Sequence, residues 1–309
     1  PMTTSKRLAI IGPTASGKSS LALSVCRRLG DAEIVSIDAM QVYRGMDIGT
    51  ASPSSAERTE VRHHLVDLVD PHDEFTLAQF QSAYADAVAD IDQRGRRAVL
   101  VGGTGLYLRA VTDGLTLPGQ WPEIRRRLEE EAERSGPEPM FERLRSLDAQ
   151  AATRMEPTNV RRIVRALEVI EGSGRPFSSF GPGFETYPES EVTQVGLRWP
   201  REVLAGLIEQ RVHSMIDAGW VTEVERILAS RAAVPLSRTA AQALGYKELI
   251  GYLEGRSSLS DAVDLIVQRT RQFAVRQERW FRRDPRIIWF DVESDPVTEL
   301  TARIVNEFA

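Results

Sequence analysis

Leu8-Ala9-Ile10-Ile11-Gly12-Pro13-Thr14-Ala15-Ser16-Gly17-Lys18-Ser19 decides how this chain is read: an apolar run, a glycine-bounded turn, then Ser20-Leu21-Ala22-Leu23-Ser24-Val25 in helical spacing. The turn fits the phosphate-loop pattern G-x-x-x-x-G-K-[ST] with a strand before it and a helix after it. Gly12, Pro13, Thr14, Ala15, Ser16, Gly17, Lys18 and Ser19 are therefore the candidate phosphate cradle, in which backbone N–H groups surround phosphate oxygens at a helix N-terminus. Lys18 would place a point charge on the phosphates, and the Ser19 hydroxyl is the candidate ligand for Mg2+. A bare strand-to-helix turn has the same outline. The motif points to a polyphosphate and does not say what happens to it.

Working outward, Glu33 to Ile37 (EIVSI) forms a second strand that ends at Asp38. Thr76-x-x-Gln79 is a capping box opening a helix from about Leu77 to Gln93, with Phe80, Tyr84, Val88 and Ile91 spaced for one buried face. Ala98 to Val101 is a third strand, leading into Gly102-Gly103-Thr104-Gly105. This alternation predicts an α/β fold of the phosphate-loop type, a parallel sheet with helices on both faces. Gly12, Asp38 and Thr104 each follow a strand, so all three should converge on one sheet edge.

From about Leu117 the pattern changes. Pro122 to Arg134, Met140 to Leu147 and Asn159 to Glu171 read as amphipathic helices, the last with Val160, Ile163, Val164, Leu167 and Ile170 facing inwards. No strand signal appears between Val101 and Val192. We expect residues 118–190 to form an all-helical insertion domain, with 1–117 and 191–309 as the catalytic core. Val192 to Leu197 and Ile287 to Phe290 resume the strand pattern, with helices between them and a closing helix after.

The 309 residues are 42% hydrophobic and 27% charged, which describes a globular chain and excludes a disordered or fibrous one. The lone cysteine, Cys26, can form no internal disulfide and reads as a core residue in a reducing compartment. No apolar stretch approaches the roughly 18 residues of a membrane span and no leader precedes the first strand, so we expect a cytoplasmic protein with no membrane partner. The net charge of -5 disfavours a polyanion partner, but the distribution is uneven. Arg154, Arg161, Arg162, Arg165 and Arg175 form one cluster; Arg269, Arg271, Arg276, Arg279, Arg282, Arg283 and Arg286 form another. Each suits phosphate contacts and base stacking, or a solvated helix face balanced by acidic neighbours.

Asp38, at a strand tip beside the phosphate loop, can orient an attacking group and take its proton, coordinate magnesium or cap its turn. The third strand is more telling. Enzymes that transfer phosphoryl groups usually end such a strand in a magnesium-binding Asp, whereas Val101 runs here into Gly-Gly-Thr. Thr104 offers a hydroxyl instead, or the stretch is only a tight helix entry.

Together GPTASGKS, DAMQVYRGMDIGTA (Asp38 to Ala51), HHLVD (His63 to Asp67) and VGGTGLY (Val101 to Tyr107) resemble the tRNA dimethylallyltransferases, which are tRNA isopentenyl-diphosphate transferases. The match continues through RRIVRALEV (Arg161 to Val169), QRVHSMIDAGWVTEV (Gln210 to Val224), AAQALGYKEL (Ala240 to Leu249) and TRQFAVRQERWFRRD (Thr270 to Asp284), covering nearly the whole chain in order. It departs at Ala39, where Ser is usual, and at Val275, where a basic residue is usual.

The resemblance implies that the exocyclic N6 of the adenosine 3′ of the anticodon attacks C1 of dimethylallyl diphosphate, releasing diphosphate. It assigns Asp38 as proton acceptor, Thr104 as the residue near the leaving oxygen and Arg211 as a diphosphate contact, although Arg211 alone could be a surface helix residue. It maps tRNA contacts onto Asp38, Ala39, Met40, Gln41, Thr104, Arg125, Arg161, Arg162, Ile163, Val164 and Arg165, with the insertion clamping the anticodon stem-loop. His63 and His64 read as structural. The competing readings are a phosphate-loop small-molecule kinase using ATP, an adenylate prenyltransferase acting on a free nucleotide, and a nucleotide-gated RNA-binding protein. Nothing requires more than a monomer.

Overall fold

The computed structural model describes residues 7–115, 117–180 and 186–308. They fall into two compact units, one running up to Asp113 and resuming at Glu189, the other spanning Gly114–Pro188.

The first unit begins β1 (Arg7–Ile11), α1 (Lys18–Leu29), β2 (Ala32–Ser36), α2 (Ser55–Glu60), β3 (His63–His64), α3 (Leu77–Gln93), β4 (Arg97–Gly102) and α4 (Gly105–Thr112). The second unit holds α5 (Pro122–Ser135), α6 (Pro137–Leu147), α7 (Ala149–Ala152) and α8 (Val160–Ser173). The chain then re-enters the first unit with β5 (Val192–Arg198), α9 (Arg201–Asp217), α10 (Trp220–Ser230), α11 (Arg238–Ala241), α12 (Tyr246–Leu253), α13 (Leu259–Phe281), β6 (Ile287–Asp291) and α14 (Pro296–Phe308).

All six strands are parallel, in the order β3-β2-β4-β1-β5-β6. β1, β2 and β4, the central strands on the site side, are buried at consecutive positions because both of their faces are covered. Ala9, Ile11, Val35, Ala98 and Leu100 join the core on one face, while Leu8, Ile10, Ile34, Val99 and Val101 join the core on the other. The α3 capping box is present: Thr76 Oγ1 accepts from the Gln79 N–H at 3.2 Å, and Gln79 Oε1 accepts from the Thr76 N–H at 2.8 Å. Phe80, Tyr84, Val88 and Ile91 form its buried face. Cys26 lies buried on α1, and burial pushes its thiol up to about 12, which leaves it protonated.

Three features differ from the sequence expectation. The sheet gains β3, two residues long and too short to show a period. Between Asp38 and Thr76, where the sequence reading placed no helix, lies α2, started by a Ser54–Glu57 capping box of the same kind as that of α3. Within α8, Ile163, Val164 and Leu167 are buried, but Val160 is exposed because it opens the helix ahead of the apolar stripe.

The second unit packs α5 to α8 around Leu128, Met140, Leu144, Ile163, Val164 and Leu167. Trp121 lies so close to Gly172 that a Cβ there would stand 2.0 Å from the indole. The buried Glu168 carboxylate accepts from the Trp121 N–H at 2.9 Å and pairs with Arg165 at 2.8 Å.

One contact limits how far β2 and β4 can vary where they converge: a Cβ on Gly102 would stand 2.0 Å from the Ile37 carbonyl oxygen. Backbone cannot yield as a flexible side chain does. Gly102→Ala should therefore destabilise the protein by about 2 kcal/mol or more, seen as a lower denaturant midpoint with an unchanged slope.

Candidate active site

Three strand ends build the site. Gly12 follows β1, Asp38 stands two residues past β2, and Thr104 stands two residues past β4. Since β2, β4 and β1 are neighbours in a parallel sheet, their carboxyl ends open on one edge. The backbone binds them there: the Ala39 N–H donates to Thr104 Oγ1 at 3.3 Å, and the Ile37 N–H donates to the Val101 carbonyl at 2.7 Å.

The phosphate loop turns through left-handed backbone at Ala15 (φ 62°) and Gly17 (φ 80°), the latter capping α1. A side chain at Gly17 would also meet Pro296 at 2.6 Å. The Trp199 indole N–H donates to the Ser16 carbonyl at 3.0 Å and pins the middle of the loop. Lys18 folds back across it, Nζ donating to the Pro13 carbonyl at 3.1 Å.

Thr14, Lys18, Ser19, Asp38, Thr104 and Arg211 line one cavity of about 530 Å³. Ala39, Met40 and Gln41 also face it, as do the apolar side chains of Ile208, Val212, Met215 and Leu244. Burial, reinforced by the Arg211 guanidinium and opposed by Asp38, lowers the pKa of Lys18 to about 8. Burial likewise lowers that of Arg211, against the pull of Asp38. Both groups have given up water for protein and would gain from an anion between them. Asp38 Oδ1 accepts from the Met40 N–H at 2.8 Å, which fixes the carboxylate through one of its two oxygens. No carboxylate follows β4, whose end is Val101-Gly102-Gly103.

Two residues central to this geometry escaped the sequence reading. Glu223 of α10, 3% exposed, accepts from the backbone N–H groups of Asp47 at 3.0 Å, Ile48 at 2.8 Å and Gly49 at 3.3 Å. It also accepts from the Tyr246 hydroxyl at 2.6 Å, so one carboxylate holds the backbone of residues 47–49 in the loop after β2. Gln277 of α13 meets both the phosphate loop and the Gly-Gly-Thr-Gly loop. Each is a polar residue on a buried, mainly apolar helix face, beside Trp220, Val224 and Ile227 or Thr270, Ala274 and Phe281. That pattern was the available signal.

The expected RNA-contacting positions beyond the strand ends lie in the second unit. Arg161 and Arg162 are exposed on α8, while Ile163 and Val164 are buried core residues with no side-chain surface to offer. Arg125 pairs with Glu129 at 3.1 Å. Arg165, besides Glu168, donates to the carbonyls of Pro118 and Gly119 at 3.0 Å and holds the segment entering α5. Much of the second arginine cluster is spoken for within its own unit. Arg271 pairs with Glu209 at 2.6 Å, Arg282 with Glu278 at 2.5 Å, Arg286 with Asp113 at 2.7 Å, and Arg269 with Glu248. Arg276 lines the cavity. The two histidines sit in β3, with His64 Nε2 2.7 Å from Glu33 and His63 Nδ1 2.7 Å from the Val61 carbonyl.

The chain as a whole is similar to known proteins. The model of the IPP transferase family matches residues 41–284. A tRNA dimethylallyltransferase of Nocardioides is 47% identical over 298 residues, covering 96% of this chain and 95% of its own. The crystal structure of the full-length tRNA isopentenylpyrophosphate transferase of Bacillus halodurans is 36% identical, with a TM-score of 0.69 and coverage of 99% of this chain and 97% of that one. A eukaryotic dimethylallyltransferase acting on tRNA reaches a TM-score of 0.80 at 25% identity, covering 99% of this chain and 79% of its own.

Replacing Glu223 tests how the cavity wall is held. Glu223→Ala strands three backbone N–H groups and a buried tyrosine hydroxyl, and should cost about 3 kcal/mol or more in denaturant unfolding, whereas Glu223→Gln should cost less.

Proposed function

This chain belongs to the IPP transferase family, and we propose that it acts as a tRNA dimethylallyltransferase, moving the dimethylallyl group of dimethylallyl diphosphate to N6 of the adenosine 3′ of the anticodon. The observation that carries the chemistry is the cavity itself. It sets Lys18 and Arg211 near the Asp38 carboxylate, beside an apolar wall that suits a prenyl chain.

In this reaction the N6 amine attacks C1, the C1–O bond breaks, and its electron pair leaves on the diphosphate. The N6 proton passes to Asp38, whose Oδ2 is left available by the Met40 contact to Oδ1. Lys18, Arg211 and the loop N–H groups stabilise charge that grows on the leaving oxygens. Thr104 Oγ1 already accepts from the Ala39 N–H, so its own proton is directed to a further acceptor, the bridging oxygen. A phosphoryl-transfer site would need a carboxylate after β4, and the glycines there suit a group that only departs.

Among the described residues no cluster of three or more His, Cys, Asp or Glu side chains could hold a metal. The Ser19 hydroxyl, which lines the cavity, fits Mg2+, an ion that binds through one or two protein oxygens together with phosphate oxygens and water. When bound it would add positive charge beside the departing diphosphate.

The adenosine must leave its stack to enter the cavity, at a cost of a few kcal/mol that contacts to the RNA backbone offset. We assign those contacts to the second unit, with Arg161 and Arg162 on the phosphates of the anticodon stem and binding that weakens with salt. Among the described residues no helix is long and apolar enough to cross a membrane.

Incubation with an anticodon stem-loop RNA, magnesium and dimethylallyl diphosphate, followed by mass spectrometry of digested nucleosides, should show a prenyl-sized gain on one adenosine. Asp38→Ala should slow transfer by about 10²–10⁴-fold. Phosphate transfer from ATP to a small molecule, with no gain on RNA, would identify a kinase instead.

Lys18 makes a second prediction. It carries its charge below about pH 8 and loses it above. Since kcat/KM reports groups of the free enzyme, kcat/KM for the diphosphate donor should fall above about pH 8, well below the ordinary lysine value of 10.5. In Lys18→Met that limb should disappear from an already low profile.

A further inference from the structure

We propose that Gln277 is a positioning residue for prenyl transfer: its single amide fixes the separation between the phosphate loop and the Gly-Gly-Thr-Gly loop, and so sets the diphosphate against Thr104. The proposal deepens the prenyl-transfer reading and rests on it.

Gln277 is 7% exposed on α13, among Thr270, Ala274 and Phe281. A primary amide on such a face is costly unless both its ends are bonded. Both are. Oε1 accepts from the Thr14 N–H at 2.9 Å, and Nε2 donates to the Gly103 carbonyl at 2.9 Å. The two loops thus demand an acceptor and a donor at the end of one side chain. Glutamate lacks the donor, lysine lacks the acceptor, and asparagine is a methylene short.

Gly103 records the same constraint independently, since a Cβ there would stand 2.3 Å from Gln277 Nε2. From Gly103 the path continues through the next residue, Thr104, to the Ala39 N–H at 3.3 Å, and Ala39 adjoins Asp38. One continuous chain of contacts therefore joins the diphosphate cradle, the leaving-oxygen donor and the proton acceptor. The bridge has a second effect. It occupies the Thr14 N–H, which withdraws that donor from the anion and leaves the cradle to Lys18, Ser19 and the amides at the start of α1.

The test compares wild type with Gln277→Met, which keeps the length and removes both bonds, and Gln277→Glu, which keeps the acceptor for Thr14 and removes the donor to Gly103. For each, the melting temperature, the Kd of inorganic diphosphate by calorimetry, the Kd of an anticodon stem-loop RNA, and kcat/KM for dimethylallyl diphosphate are measured. Displacing a reacting group by about 1 Å can cost about 10²-fold. We expect kcat/KM for the donor to fall by about 10–100-fold in Gln277→Met and diphosphate to bind at least about fivefold more weakly, with RNA Kd within about twofold of wild type. Gln277→Glu should lose activity in the same direction. Donor kinetics and diphosphate affinity equal to wild type in either folded variant would overturn the proposal. So would RNA affinity and melting temperature collapsing together in both variants, which would mark Gln277 as a packing residue only. If wild type binds diphosphate yet prenylates no RNA, the functional reading fails, and the diphosphate Kd alone decides whether Gln277 orders the cradle.

Discussion

Backbone segments from three adjacent strands meet at one edge of the sheet more closely than side chains would permit. Gly102 faces the Ile37 carbonyl with no room for a Cβ, Gly103 faces Gln277, and Gly12 faces Ser16. Parallel pairing of β2, β4 and β1 brings these ends together, and small residues let them touch. Everything chemical in the site hangs on that approach. Asp38 reaches Thr104 through the Ala39 N–H, and the phosphate loop reaches Gly103 through Gln277. A site held through backbone groups has little freedom to relax, which is what a transition state with separating charges requires.

The second constraint is electrostatic. Lys18 and Arg211 are both drawn away from water, and each makes the other's charge harder to hold, with Asp38 compensating in part. A free site of this kind is paid for by the packing around it and gains most when a polyanion enters. In the proposed reaction diphosphate would satisfy that need twice, as the substrate's head and, more strongly, as the departing product whose charge has grown. Phosphate loops in kinases hold the group that is transferred. Here, in the proposed reaction, the same loop would hold the group that is left behind, and the Val101-Gly102-Gly103 end of β4, which has no carboxylate, would suit that difference in task.

Fold and site were not equally legible in the sequence. Strands β1, β2 and β4 announced themselves as apolar runs because both of their faces are buried, β5 and the edge strand β6 as β-branched and aromatic stretches, and the α3 capping box stated its own start. β3 left no trace, since two residues cannot display a period, and α2 was passed over although Ser54 and Glu57 carry the same box as Thr76 and Gln79. The motif residues of the site were visible as strand-end signals, whereas Glu223 and Gln277 were not, because what they bind lies 174 to 176 and 263 or 174 residues away. Their chemistry is defined by backbone groups that have no sequence identity. What could have been read was the anomaly itself, a carboxylate and an amide on mainly apolar helix faces. The arginine clusters stayed open between phosphate contacts and balanced helix faces because composition counts charges but not partners; in the structure Arg165, Arg269, Arg271 and Arg286 pair with acids of their own unit.

The central claim is that the phosphate loop stabilises a leaving diphosphate, so the bond that breaks is C1–O and not P–O. Dimethylallyl diphosphate carrying ¹⁸O at the bridging position decides this directly, by mass spectrometry of the phosphorus products released during a reaction with anticodon stem-loop RNA. The account predicts that the label appears wholly in inorganic diphosphate while the adenosine gains an unlabelled prenyl group. Label retained in dimethylallyl alcohol, with phosphate or diphosphate released unlabelled, would show cleavage at phosphorus and contradict it.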